Sequence, residues 1–253
     1  MSKPLMYSGF HAVWAILRHR PEAVLALFVQ ESRAGRGEER LEALCAEAAR
    51  FGIRPQMARR EVLERHAGPQ HQGVVVRARP RAVGDENHLL AKLEQLPHDP
   101  LLLLLDGVTD PHNLGACLRT ADAVGVDAVV VPRRHACGLT PTACRSAAGA
   151  AESVAYFEVT NLGRVMDELR QQGIRIFGTA RNETSCSLLE TAAEGPLAVV
   201  MGAEGQGMRR LTREKCDQLL EIPMAGEVES LNVSVATAVV LYQLARNRLE
   251  RFS

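Results

Sequence analysis

The chain has 253 residues, 46% of them apolar and 24% charged, and its formal net charge is zero. That length suits one large domain or two smaller ones, and that much apolar material excludes a chain disordered throughout. No apolar run approaches the ~20 residues that span a bilayer, and the opening residues, MSKPLMYSGF, lack the apolar core of a secretory signal.

In chain order, residues 12–18 (AVWAILR) read as a short helix after Ser8-Gly9, and 24–30 (VLALFVQ) as a strand. Residues 38–51 carry apolar side chains at 41, 44, 45, 48 and 51, the spacing of one helix face, with Gly52 as the C-cap. The run 73–78 (GVVVRA) reads as a strand. Together these predict a small α/β domain over residues 1–80. Pro80, Gly84, Pro97 and Pro100 punctuate the next stretch, which predicts a linker over 81–99 with a short helix at 88–96 inside it.

From residue 100 to 253 the texture changes. Short, wholly apolar runs recur at 101–105, 128–131, 174–177, 197–201 and 219–222, with helical stretches between them. Apolar strands alternating with helices predict a parallel sheet covered on both faces. The last stretch, 231–249, places apolar residues at 231, 235, 238, 239, 242, 245 and 249 and predicts one long amphipathic helix.

The six cysteines (Cys45, Cys117, Cys137, Cys144, Cys186, Cys216) form no C-x-x-C pair, so neither a zinc ribbon nor a redox motif is indicated. Scattered single thiols fit a reducing compartment, and the expected location is cytoplasmic. A zero net charge argues weakly against a nucleic-acid partner, but charge is unevenly spread. Residues 50–81 hold eight arginines against Glu61 and Glu64, a net of +6. Such a stretch is either a solvated face or a phosphate-binding one, and Arg54, Arg59, Arg60 and Arg77 are its candidate phosphate contacts.

Three loops follow apolar strands of the parallel sheet, where open sheets of this kind bind ligands. The first runs from Asp106; Asp110 can cap a helix with Pro111 at its first position. On that helix Leu114, Cys117, Leu118, Ala121 and Val124 share one arc, and Arg119 projects elsewhere, either as an ordinary exposed arginine or as a phosphate or ribose contact. The second, Met201 to Met208, has G-x-x-G-x-G spacing with Glu204 inside it. It is neither the G-x-G-x-x-G of dinucleotide folds nor a P-loop, which weighs against an NAD-type oxidoreductase. The third, Ile222 to Ala236, leads into the last helix. Ser230 can cap that helix, with Asn232 and Ser234 as further polar groups in its first turn.

Asn113 to Ala121 (NLGACLRTA), Gly202 to Gly207 (GAEGQG) and Ile222 to Ala236 (IPMAGEVESLNVSVA) resemble the three motifs of the SpoU/TrmH class of SPOUT RNA methyltransferases, in that order and at that spacing. Residues 7–13 (YSGFHAV) and 71–73 (HQG) look like the class's N-terminal substrate-binding domain. The resemblance implies an α/β fold whose parallel sheet ends in a C-terminal trefoil knot. It implies methyl transfer from S-adenosylmethionine to the ribose 2′-hydroxyl of a guanosine in 23S rRNA, by a homodimer, with no metal and no membrane. It places Asn113, Arg119, Glu204, Ser230 and Asn232 at catalytic positions. It places the cofactor against Thr179, Ala180, Gly202, Ile222, Met224, Leu231 and Ser234. Two rivals stay within the class: a tRNA 2′-O-methyltransferase, and a catalytically dead RNA-binding factor. A guanidinium is a poor base, so Arg119 is read as a phosphate and alkoxide contact.

Overall fold

The computed structural model describes residues 3–31 and 39–250. The chain divides into two compact units, Met1–Ala82 with Leu139–Ser153, and Val83–Gly138 with Val154–Ser253. It opens with β1 (Leu5–Ser8), α1 (Phe10–His19), β2 (Val24–Gln30), α2 (Glu39–Arg50), β3 (Pro55–Ala58), α3 (Arg60–Ala67) and β4 (Val74–Ala78). Next come α4 (Glu86–Leu93), β5 (Leu101–Asp106), α5 (Pro111–Val124) and β6 (Ala128–Pro132), then α6 (Pro141–Ser146) and α7 (Ala150–Ser153). The chain ends with β7 (Tyr156–Val159), α8 (Leu162–Gln171), β8 (Arg175–Thr179), β9 (Cys186–Ser187), β10 (Leu197–Gly202), α9 (Arg210–Glu214), β11 (Gln218–Glu221), α10 (Val233–Leu244) and α11 (Arg246–Leu249).

The first unit is built on a four-stranded sheet in the order β1-β4-β2-β3. Its central strands bury Leu27, Val29, Val74, Val75 and Val76 completely. The helix read at 38–51 is α2; its first predicted residue lies outside the described residues, and Gly52 follows it with φ +71, the conformation a C-terminal glycine supplies without Cβ strain. Sequence patterning did not disclose β1, β3 or α3, because these elements are short or mostly polar on the surface.

Residues 139–153 fold with this unit, although they follow β6 in the chain. The Arg20 guanidinium grips the Glu152 carboxylate through Nε (2.6 Å) and Nη2 (2.8 Å), and Arg81 donates to the Ala151 carbonyl. Arg145 also reaches the Ser8 hydroxyl at 3.4 Å. This segment, inside the stretch 100–253, is held by polar contacts to residues 1–82 that no local pattern encodes.

The second unit has a seven-stranded, all-parallel sheet in the order β7-β6-β5-β10-β8-β11-β9. Each apolar run read as a strand is one, and Leu101 to Leu105 are all within 1% of complete burial. A strand covered on both faces needs no alternation, which is why it reads as an unbroken apolar run. β10 enters between β5 and β8, and β11 between β8 and β9. The chain thus leaves β5 toward β6 and leaves β10 toward β11, in opposite directions along the sheet, and a ligand crevice is expected at such a point.

The predicted linker over 81–99 is not a loose connection. Its helix is α4, capped by Asp85, with Leu89 and Leu93 in the core beside Phe157. The reading of the last helix is corrected. It breaks at Ala245, and its buried side chains are Val233, Thr237, Val240, Leu241 and Leu244, against α5. Three residues of the predicted stripe, Val235, Val239 and Tyr242, face outward at 49%, 37% and 51% exposure. The helix is apolar on nearly every side, so spacing alone could not identify the inner face.

Candidate active site at the carboxyl edge of the parallel sheet

The first two loops are brought together by strand register. β5 and β10 pair in parallel so that Asp106 lies opposite Gly202 at their carboxyl ends. Asp110 caps α5 as predicted, its carboxylate accepting the His112 N–H at 3.0 Å, with Pro111 at the first helical position. This sets Asn113, 9% exposed, in the first turn.

The glycine-rich loop is a tight hairpin. Ala203 N donates to Gly207 O (3.1 Å) and Gly207 N to Ala203 O (2.8 Å). A Cβ on Gly202 would lie 2.2 Å from Met208 N, so only glycine allows the returning chain to pack there. Gly205 and Gly207 take φ of +77 and +66, and Glu204 is exposed within the hairpin.

The third loop ends at α10, whose cap is Asn232 and not Ser230. Asn232 Oδ1 accepts from Ser234 N (2.9 Å) and Ser234 Oγ (2.6 Å). Ser230 is exposed and lies outside the helix. With its oxygen fixed by the cap, the Asn232 amide nitrogen points back to Asn113 Oδ1 (2.9 Å) and Glu204 Oε1 (3.3 Å). Asn113 Nδ2 closes the triangle by donating to Glu204 Oε2 at 3.2 Å. Three residues from three loops therefore form one hydrogen-bonded cluster around an exposed carboxylate, whose direction the two amides set while solvent screens its charge.

Of the five candidate catalytic residues, the structure joins Asn113, Glu204 and Asn232. Arg119 is exposed on α5, away from the arc formed by Leu114, Cys117, Leu118, Ala121 and Val124, and Ser230 is not in the cluster. The seven candidate cofactor residues, Thr179, Ala180, Gly202, Ile222, Met224, Leu231 and Ser234, are all half-buried. They cluster at the carboxyl ends of β8, β10 and β11 and at the start of α10. Ile222, Met224 and Leu231 keep apolar surface accessible there, which suits a largely apolar, partly enclosed ligand.

In the first unit Arg54, Arg59, Arg60 and Arg77 are exposed. The basic stretch is not uniform, however: Arg79 donates to the Glu22 carbonyl and Arg81 to the Ala151 carbonyl, so these two serve the fold. Burial holds Arg81 below the usual guanidinium range.

Sequence reasoning assigned no role to Asp106, yet its side chain has no exposed surface. Asp106 Oδ2 accepts from Arg209 N at 2.9 Å, and Arg209 Nε lies 3.5 Å from Oδ1. This pair fastens the end of the glycine-rich loop to β5. The available signal was a lone carboxylate closing an all-leucine strand. Nearby thiols are inert: burial, aided by Asp217 and Asp106, pushes Cys216 up to about 12, and burial pushes Cys117 up to about 11.

The SpoU rRNA methylase family model matches residues 100–242, and the RNA 2′-O ribose methyltransferase substrate-binding model matches residues 8–83. A 23S rRNA (guanosine-2′-O-)-methyltransferase, RlmB, of Shewanella oneidensis is 49% identical over 98% of this chain and 99% of its own length. The Haemophilus influenzae protein of the same name is 51% identical over 95% of this chain and 97% of its own. Among solved structures, the SpoU methyltransferase AviRb from Streptomyces viridochromogenes, in complex with the cofactor AdoMet, superposes with a TM-score of 0.77 at 25% identity. That match covers 98% of this chain and 91% of AviRb. The chain belongs to the SpoU rRNA methylase family.

Proposed function

We propose that this chain transfers a methyl group from S-adenosylmethionine to the ribose 2′-hydroxyl of a guanosine in 23S rRNA. The observation that carries this reading is the Asn113–Glu204–Asn232 cluster, in a chain 49% identical over 98% of its length to an RlmB protein. That likeness extends over residues 8–83, where the substrate-binding model matches, and the relatives so covered are named for 23S rRNA, which favours rRNA over tRNA.

Thr179, Ala180, Gly202, Ile222, Met224, Leu231 and Ser234 would hold the cofactor, which when bound supplies a methyl already activated on a sulfonium. The protein's own task is to place the ribose and assist departure of the hydroxyl proton. Glu204, held by two amide donors, accepts a hydrogen bond from the ribose; Asn113 and Asn232 fix its direction. Arg119 contacts the RNA phosphate and stabilises the developing alkoxide, and Ser230 lines the RNA side. Arg54, Arg59, Arg60 and Arg77 take up backbone phosphates in the first unit.

The protein acts as a homodimer in this reading, and Arg119 completes a site across the interface. Supporting it are the outward Val235, Val239 and Tyr242 of α10 and the exposed Arg119, which takes no part in the hydrogen bonds of the cluster. The C-terminal trefoil knot belongs to the same proposal and is supported by the insertion of β10 and β11 between earlier strands. Action on ribosomal RNA supports a cytoplasmic location. Among the described residues no helix is long and apolar enough to cross a membrane.

Calorimetric titration with S-adenosylmethionine, followed by methyl transfer to rRNA, tests the reading. Saturable cofactor binding with transfer supports it; RNA binding without cofactor binding would establish the dead-factor alternative.

A further inference from the structure

The second unit also contains a cleft of ≈ 700 Å³ that the motif residues do not line. Its walls come from three chain segments, around Pro132, Asn161 and Arg209, and carry Arg134, Arg164, Arg209, Arg210 and Lys215 against one carboxylate, Asp167. Like charges gathered in a concave site focus a field that draws anions. The volume is in the range that holds a nucleotide-sized ligand.

Two features show that this charge is built in. Arg209 is pinned to the wall by Asp106, whose side chain has no exposed surface. The carboxylate accepts the Arg209 main-chain N–H at 2.9 Å, which fixes where Arg209 stands, and the half-exposed guanidinium lies 3.5 Å from Oδ1. The opening turn of α8 also faces the cleft, bringing the positive end of that helix to the same wall.

The remaining cations are available to a ligand. Arg164 pairs with Glu168 (3.1 Å), Arg210 with Glu214 (3.1 Å) and Lys215 with Asp167, all at least partly exposed. Such pairs contribute about 0–1 kcal/mol, so a phosphate can replace them. Leu211 stands 63% exposed among these charges and offers an apolar face. A purely ionic site would not need it; a sugar or base would use it. Arg209 directly follows Met208, at the end of the loop that carries Glu204.

We infer that this cleft receives the RNA backbone beside the target nucleotide, with phosphodiester oxygens on Arg134, Arg164 and Arg210 and a sugar or base against Leu211. The inference rests on the RNA reading above. A free nucleoside monophosphate offers the same chemistry, so the test separates the two.

The double variant Arg134→Gln/Arg210→Gln is compared with the wild type for binding of a 23S rRNA fragment across a salt series. Loss of two phosphate contacts raises the Kd about tenfold and lowers the slope of log K against log salt by about 1.4. S-adenosylmethionine affinity stays within twofold and thermal melting is unchanged. An unchanged Kd and slope would overturn the proposal. So would tight binding of guanosine monophosphate that the variant abolishes while RNA binding is unaffected. Wild-type protein that binds the fragment through these arginines but does not methylate it would sink the methyltransferase reading and leave the cleft standing.

Discussion

Asn232 and Asn113, far apart in the chain, are joined side chain to side chain at 2.9 Å. The same Asn232 amide nitrogen reaches Glu204 at 3.3 Å, while its oxygen caps α10. One residue thus fixes both the start of a helix and the direction of a carboxylate.

These two duties separate by substitution. Asn232→Asp keeps the capping oxygen but loses the donor and sets a second carboxylate beside Glu204. Methyl transfer should fall by about 10²–10³-fold, the usual cost of one oriented donor, with little change in melting temperature. Asn232→Ala loses both, and should add a stability loss of about 1 kcal/mol in a denaturant titration. Equal rates for Asn232→Asp and the wild type would remove Asn232 from the site.

Gly202 has a backbone reason for its identity. With a Cβ only 2.2 Å from Met208 N, Gly202→Ala must push the 203–207 hairpin aside. Cofactor affinity should fall at least about tenfold, by loss of contacts worth more than about 1.4 kcal/mol, while the core strands keep their amide-exchange protection. Unaltered affinity by calorimetry would show that the hairpin does not shape the cofactor site.

Arg119 is exposed and takes no part in the hydrogen bonds that join Asn113, Glu204 and Asn232. If it meets RNA through its planar fork, Arg119→Lys retains charge but loses the bidentate contact. The single-turnover rate should drop by about 10–100-fold, since a charge-assisted contact contributes about 1.5–3 kcal/mol. A lysine variant at full rate contradicts this role.

Much of the second unit was legible. Residues 101–105 and 197–201 announce buried parallel strands because both faces of the sheet are covered. The capping pair Asp110-Pro111 is a local signal, and it was read correctly. The inner face of α10 was not legible, since Val235 and Val239 are as apolar as Val233 and Val240. Neither was the allegiance of residues 139–153, whose helices pack against β1 and α1 and whose Glu152 meets Arg20. Within the site, the three loops could be recognised singly, but the triangle depends on the register of β5 against β10. Ser230 was the expected cap because serine is a good one, but α10 starts at Val233, which makes Asn232 the cap.

The buried thiols make a pH-dependent prediction. Cys117 and Cys216 are raised from 9.0 to about 11 and about 12 by burial. Above pH 9 the unfolded chain releases protons that the folded chain keeps, so the stability contribution is complete below pH 9 and lost as pH rises toward 11 and 12. Melting temperature should decline from about pH 9 upward, and less steeply in Cys117→Ala. In native protein at pH 8, a thiol reagent should modify the exposed Cys186 and spare Cys117. A flat melting profile from pH 8 to 10.5, or early labelling of Cys117, would show that the α5–α10 packing opens readily.

The central claim is tested most directly by offering purified 23S rRNA and bulk tRNA separately with methyl-labelled S-adenosylmethionine and mapping the modified nucleotide. Label on the ribose 2′-oxygen of a single guanosine in 23S rRNA, lost in Glu204→Gln, is the predicted result. Label on tRNA alone, or on a base in place of a ribose, would contradict it.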